Sequence, residues 1–380
     1  MQIPGKQKFP RARQVAYLDT AAEGLPPEDT VEALAEYFRD KASGSPGRPN
    51  LYRAEAEAVE AAARLLETAP ERVALLSSAS EGLNLLANSI AWKPGDEILI
   101  HDLEFSSNVV AWLRLRSQGV RVTVIPTTGG ELSFEQYASR ITRATRLVSI
   151  SQVSYKSGTQ VPFLPQLSQA LHSVGGLLAV DATQALGRVP VSVEGVDYLV
   201  ASSYKWTLGI HGIGVVYLSP ELEEHLTPAA VGWYSVRDAF TPDRFERFEF
   251  KRGAGQLVPG MPNFPSIYAL RNSLRFLLEA GVTRIDQAQK PLVRKLRAGL
   301  AAQGLDLLTP PAAEYASGIV AFAHPDAPAV GRALAEEGIV VWAGDGRVRA
   351  SVHLYTDEGD IDRYLAALAK ILSGHEVARA

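Results

Sequence analysis

The 380-residue chain contains no cysteine. That absence removes disulfides, thiolate metal sites and thiol nucleophiles together. No apolar run approaches the ~18 residues that a membrane span requires. The first residues, MQIPGKQKFPRARQ, lack the apolar stretch of a secretory signal. The net charge is only −4, and basic residues are spread along the chain, so nothing marks a nucleic-acid surface. His101, His172, His211, His324 and His353 show no metal-ligand spacing. There is no internal repeat and no low-complexity tract. We therefore expect a soluble, cytoplasmic protein with no membrane, nucleic-acid or metal partner.

What is present is apolar substance: 46% of the residues are hydrophobic. A chain of this length and composition can bury a large core and divide into domains. Short, apolar, β-branched segments recur at Val73–Leu76, Glu97–His101, Val120–Ile125, Arg146–Ser151, Leu177–Asp181, Tyr198–Ala201 and Gly214–Leu218. They do not alternate cleanly, as expected for strands buried on both faces. Amphipathic segments separate several of them: Glu81–Ile90, Ser107–Ser117, Phe134–Ile141 and Leu164–His172. The order predicts an α/β fold, with a mostly parallel central sheet sandwiched by helices. Residues 226–266 break the pattern with glycine, proline and aromatics, which marks a functional or interfacial stretch. Beyond them lie helices and an α+β pattern with segments at Gly318–Ala323, Ala327–Glu337, Ile339–Trp342, Val348–Val352 and Gly359–Leu372. We expect a large domain over 16–257 and a small C-terminal domain over 258–380, with residues 1–15 packing on the latter.

Three places carry chemistry. In VALLSSASEGLNLLA a strand ends in small polar residues and a helix begins. Free N–H groups and the positive end of that helix suit a phosphate, with hydroxyls from Ser78 and Ser80. The plainer alternative is that Ser80 only caps the helix. Asp181 ends an apolar run, where open α/β sheets bind ligands, or else it caps the next helix. Lys205 sits in SSYKWTLGIHGIG, between two apolar runs. A buried lysine loses basicity and becomes a nucleophilic amine suited to a Schiff base. The alternative is an ordinary exposed loop lysine. A phosphate cradle, a strand-end carboxylate and a buried amine are jointly what pyridoxal 5'-phosphate requires.

The segments VDATQALGRVPV and DYLVASSYKWTLGIHGIGVVYL resemble those of the class V pyridoxal-phosphate-dependent aminotransferases. That family includes cysteine desulfurases, selenocysteine lyases and isopenicillin-N-epimerase-like enzymes. VAYLDTAAEGLPP, SSASEGLN, EFSSNVVAW, VPGMPNFPSIYAL and VRASVHLYTDEGDIDRYLAAL resemble further family motifs in the same order. The resemblance implies a fold-type I transferase. It gives Lys205 the Schiff base and proton shuttling, Asp181 the pyridinium nitrogen, Gln184 the ring's 3′ oxygen and Phe105 the stacking face. Ala79 and Ser80 at the helix start, with Ser202 and Tyr204, would hold the phosphate. Gly260 and Met261 would complete the phosphate site of a second subunit, which implies a homodimer. Arg349 would clamp the α-carboxylate of an amino-acid substrate.

The departures bear on the reaction. Phe105 stands where desulfurases usually carry histidine, and it cannot transfer a proton. Tyr204 replaces the usual histidine before the lysine. Met261 replaces a serine or threonine, and Ala79 a common threonine. The desulfurase cysteine is absent, so persulfide chemistry on this chain has no acceptor. We expect an aminotransferase first, then a C–S or C–Se β-lyase, then an epimerase. A non-catalytic member would show an inability to take up the cofactor. Tyr52, Tyr155 and His353 are further residues that would face substrate or else pack in the core. His211, close in sequence to Lys205, would line the site or simply sit in a loop.

Overall fold

The computed structural model describes residues 5–377. A short strand, β1 (Ala16–Tyr17), precedes the large sheet. That sheet holds β2 (Val73–Leu76), β3 (Glu97–His101), β4 (Arg121–Ile125), β5 (Thr145–Ser151), β6 (Leu177–Asp181), β7 (Tyr198–Ser202) and β8 (Gly214–Leu218). All seven fall within a residue of the expected bounds. Their order is β2-β8-β7-β6-β5-β3-β4. Pairings from β4 through β7 are parallel, and only β8 runs against its neighbours. The sheet is therefore mostly parallel, as expected.

Alternation explains why both faces are dry. Leu75, Val148, Ile150, Leu178, Val180, Leu199 and Val215 point to one core. Ala74, Leu76, Ile98, Ile100, Ala179, Val200 and Val216 point to the other. Successive side chains of a strand point oppositely, so each apolar run serves two layers. Helices α1 (Thr30–Ala42) and α2 (Arg48–Leu65) lie on the first side. Helices α3 (Ala79–Ser89) and α4 (Ser107–Leu113) lie on the second. Helices α5 (Phe134–Ala138) and α6 (Leu164–His172) return to the first, and the short α7 (Pro220–Glu223) follows β8. The irregular stretch contains the two-residue strands β9 (Val236–Arg237) and β10 (Glu249–Phe250), paired antiparallel, and a short 3-10 helix over Gly253–Leu257.

Helix α8 (Phe264–Ala280) departs from the expected division. Its Phe264, Ile267, Tyr268, Leu270 and Leu274 belong to the first large core rather than to the small domain. Tyr268 also donates to Asp40 at the end of α1, at 2.6 Å. We propose that the two units divide near Gly281, where a positive φ of 78° turns the chain into α9 (Val282–Ala302).

The small unit follows. It comprises β11 (Ile319–Ala323), α10 (Ala327–Glu336), β12 (Ile339–Val340), β13 (Trp342–Gly344), β14 (Arg347–Ser351) and α11 (Glu358–Val377). The segment expected as one strand over 339–342 is two. β12 pairs with β1, whereas β13 pairs with β14. Asp345 and Gly346 both have positive φ, 43° and 70°, and make the tight turn between β13 and β14. The N-terminal segment is shared: β1 joins the small unit, while Phe9 and Ala12 pack with Phe276, Leu277 and Tyr355. Among the described residues no helix is long and apolar enough to cross a membrane.

Candidate active site

The C-terminal ends of β2, β6 and β7 open on one edge of the large sheet. The turn after β2 starts α3. Ser78 caps that helix, its hydroxyl accepting the Glu81 N–H at 3.1 Å, and Glu81 reaches back to the Ser77 N–H at 2.6 Å. Ser78, and not Ser80, is thus the cap, and because its oxygen only accepts in that bond its hydroxyl proton is left to donate. The Ala79 N–H meets only the Ser202 hydroxyl, at a long 3.4 Å. Ser80 Oγ lies 2.7 Å from Ser107 Oγ.

One cleft gathers Ala79, Ser80, Phe105, Asp181, Gln184, Ser202, Tyr204 and Lys205. It also takes in Ser107, Ser151, Val153, Tyr155 and Thr183. Of these, Tyr155 is one of the aromatics expected to face substrate or else pack in the core, and it lines the cleft. Ser151 was missed, although it ends β5 directly beside Asp181 in the strand register. The strand-end argument that picked out Asp181 applies equally to it. Gly260 and Met261 do not line the cleft of their own chain; Met261 is 44% exposed and lies against Tyr52.

Lys205 is only 8% exposed, so the loop-surface alternative falls. Its Nζ stands 5.3 Å from the centre of the Phe105 ring and 5.4 Å from that of Tyr204. Burial pushes its basicity down to about 8, against the opposing pull of Asp181. Asp181 is itself buried, which raises its carboxyl above the usual range, and the Thr183 N–H, 2.8 Å from Oδ1, works against that rise. No helix lies between β6 and β7, so the capping alternative for Asp181 falls: its Oδ1 accepts in the turn after the strand, and the residue lines the cleft.

The neighbours fix the orientation of the site. The Trp206 indole donates to Gln184 Oε1 at 2.6 Å, and Gln184 Nε2 donates to the Ala21 carbonyl at 3.0 Å. The amide therefore has one further N–H to offer. Phe105 meets Tyr155 edge to face at 5.1 Å. Behind Phe105, Glu104 is fully buried. It accepts from the Ser151 N–H at 2.6 Å, Ser151 Oγ at 2.5 Å and Asn108 Nδ2 at 2.8 Å, and lies 2.7 Å from His101 Nε2. That network holds the segment carrying Phe105 against the sheet. Tyr204 stacks on His211 at 4.4 Å, and burial raises its phenol, so it stays a neutral donor. His211 backs Tyr204 from the exposed side and pairs with Glu23 at 3.2 Å. His353 does not approach the cleft; it is buried, pushed down to about 3 mainly by that burial, and its Nε2 donates to the Trp206 carbonyl at 3.0 Å.

Arg349 reaches the cleft through Tyr155. Its Nη1 donates to the Tyr155 carbonyl at 2.8 Å, and its Nη2 lies 3.7 Å from Asp19. Burial lowers Arg349 to about 10 and raises Asp19 to about 6, each partly offset by the other.

These donors fit a phosphorylated pyridine aldehyde. A helix start with a weakly used N–H and three nearby hydroxyls suits the phosphate. A buried carboxylate suits a protonated ring nitrogen, and a buried amine of lowered basicity suits the aldehyde. Among the described residues no group of His, Asp and Glu is arranged to hold a metal.

Comparison with known proteins gives the same answer. A relative from Methanothermobacter thermautotrophicus, named a probable cysteine desulfurase, is 29% identical over 94% of both chains. A cysteine desulfurase of Klebsiella pneumoniae is 31% identical over 94% of this chain and 93% of its own. Among solved structures, the apo cysteine desulfurase of Thermococcus onnurineus superposes with a TM-score of 0.90 at 24% identity, covering 98% of this chain and 99% of its own. A cysteine desulfurase of Escherichia coli superposes at 0.85 with 25% identity, covering 97% of each. The sequence profile of the family described as Aminotransferase class-V matches residues 16–364. The chain belongs to that family, and is a pyridoxal-phosphate-dependent enzyme of the transferase or lyase kind.

Proposed function

We propose that this enzyme removes the Cα proton of a small α-amino acid and breaks its Cβ–S bond, releasing the sulfur as a thiol or sulfide. The observation that carries the reading is the Lys205 amine, buried, lowered to about 8, and set in one cleft with Asp181. When bound, pyridoxal phosphate supplies the sink for the electron pair left at Cα. The chain's own residues do the rest. Lys205 holds the cofactor and takes the Cα proton at Nζ. Asp181 holds the proton on the ring nitrogen. Ser80, Ser202, Tyr204 and the Ala79 N–H bind the phosphate. Gln184, its amide turned by Trp206, donates to the ring oxygen. Phe105 covers the ring and excludes water, and being a hydrocarbon it moves no proton. Arg349 takes the substrate's α-carboxylate as a planar fork. The Cβ–S pair leaves on sulfur, and addition of water converts the remaining three-carbon unit to pyruvate and ammonia.

Relatives named cysteine desulfurases support the C–S bond as the one broken. With no cysteine in the chain, the sulfur leaves as a small thiol or sulfide. Transamination is the second reading, favoured by the family match and by Phe105, which leaves Lys205 as the group that returns the proton. We place Gly260 and Met261, outside their own cleft, at the phosphate site of a second copy.

The test is to incubate the loaded enzyme with S-substituted and free amino acids while following pyruvate, thiol, other keto acids and chirality separately. Pyruvate and thiol in equal amounts are expected. Keto acid without thiol establishes transamination, and inversion without either establishes epimerisation.

A further inference from the structure

The strand that carries Arg349 carries a second guanidinium on the same face. Val348, Ala350 and Val352 turn into the core of the small unit. Arg347, Arg349 and Ser351 turn the other way, by the two-residue period of a strand. Arg347 is 2% exposed. Its flat head lies 4.4 Å from the Trp342 ring and 5.3 Å from the Tyr155 ring. The carboxylate within ion-pair range is Asp345, at 3.6 Å, and that side chain is 74% exposed. Two of the head's nitrogens, Nε and Nη2, are buried with no hydrogen-bond partner.

Such an arrangement is costly as it stands. Buried charged donors without acceptors lose their hydration and gain nothing in exchange. The adjacent Arg349 adds repulsion, and Arg347 in turn contributes to the lowered basicity of Arg349. One part-buried carboxylate, Asp19, lies 3.7 Å from Arg349. An incoming α-carboxylate satisfies Arg349 and leaves Arg347 unpaired. Tyr155 joins both to the cleft: its carbonyl accepts from Arg349, its ring faces Arg347, and it lines the opening beside Phe105.

We infer that the substrate carries a second carboxylate, and that Arg347 reads it. This deepens the proposed function and rests on it in one respect, that Arg349 takes the α-carboxylate. A planar guanidinium held between two rings is preorganised for bidentate contact with an oxyanion. The second carboxylate sits either on the amino acid's own carbon chain or on the substituent of its sulfur.

The test uses unreactive ligands first, so that it does not depend on which bond is broken. Calorimetric titration of the cofactor-loaded protein compares glutarate with butyrate. Glutarate is expected to bind about tenfold tighter or more. Arg347→Met should abolish that preference, and Arg347→Lys should restore part of it. Arg349→Met should weaken both ligands. Equal binding of the two acids by the unmodified enzyme overturns the inference, whether or not the Arg347 variant folds. A preference that survives in Arg347→Met also overturns it. A second arm reads amino-acid-induced changes in cofactor absorbance. It compares L-glutamate with L-norvaline, and S-carboxymethyl-L-cysteine with S-ethyl-L-cysteine. The pair with the Arg347-dependent preference identifies where the carboxylate sits, and no preference in either pair counts against the proposal. Absence of thiol release, with the glutarate preference intact, would remove the lyase reading and leave this one standing.

Discussion

Gly24 lies so close to the backbone of Lys205 that a Cβ on it would sit 1.8 Å from the Lys205 carbonyl oxygen. Its N–H donates to the Tyr204 carbonyl at 2.8 Å. The N-terminal segment is thereby clamped onto the turn that presents the amine. The same turn holds Leu208, fully buried, at a φ of 58°. A branched side chain in that region is strained and persists only where the surroundings impose it.

Replacing Gly24 with alanine should therefore disturb the site. The obstructing atom is backbone, so no side-chain rotation relieves it. We expect Gly24→Ala to destabilise the protein by about 1–3 kcal/mol and to weaken cofactor binding several-fold. Thermal melts and cofactor titration check this. Unchanged values for both would show that the segment moves aside freely.

Lys205→Ala should remove the visible absorbance of covalently held cofactor and lower turnover by roughly 10²–10⁴-fold or more. Spectra before and after borohydride treatment provide the measurement. Absorbance that persists would assign the cofactor to a different lysine.

Cofactor loading should depend on pH with a defined sign. The neutral amine is the form that attacks the aldehyde, and burial lowers Lys205 to about 8. The loading rate of cofactor-free protein should rise about tenfold per pH unit below that value and level off above it. Stopped-flow absorbance across the range provides the check. A rise continuing toward pH 10.5 would indicate an amine that is not desolvated.

Asp181→Ala should leave the cofactor bound through Lys205 while turnover falls by about 10²-fold or more, because a preorganised charge opposite the ring nitrogen is lost. Turnover close to the unmodified rate would assign the ring nitrogen to another group.

Much of the large sheet was legible because parallel strands buried on both faces are local, apolar and β-branched. Asp181 and Lys205 were legible for the same reason, since each is a polar residue interrupting such a run. Helix α8 was not. Its amphipathic face looks the same whichever core it joins, and only contact with α1 and α2 assigned it. The capping residue was not legible, because a helix start offers several hydroxyls, and only the Glu81 contact shows that Ser78 rather than Ser80 caps. Arg347 drew no notice beside Arg349, because an arginine on a strand gives no local sign of being buried without a partner.

The sequence by itself determined the fold class, the family, the cofactor and the absence of any thiol, since these depend on residue identity and on patterns a few residues long. The tertiary structure decided what depends on distant segments meeting. It set the desolvation that lowers Lys205, and the Trp206 contact that turns Gln184. It also placed Gly24 against Lys205, and Arg347 between Trp342 and Tyr155. Burial and close approach are properties of the packed chain, and no local pattern encodes them.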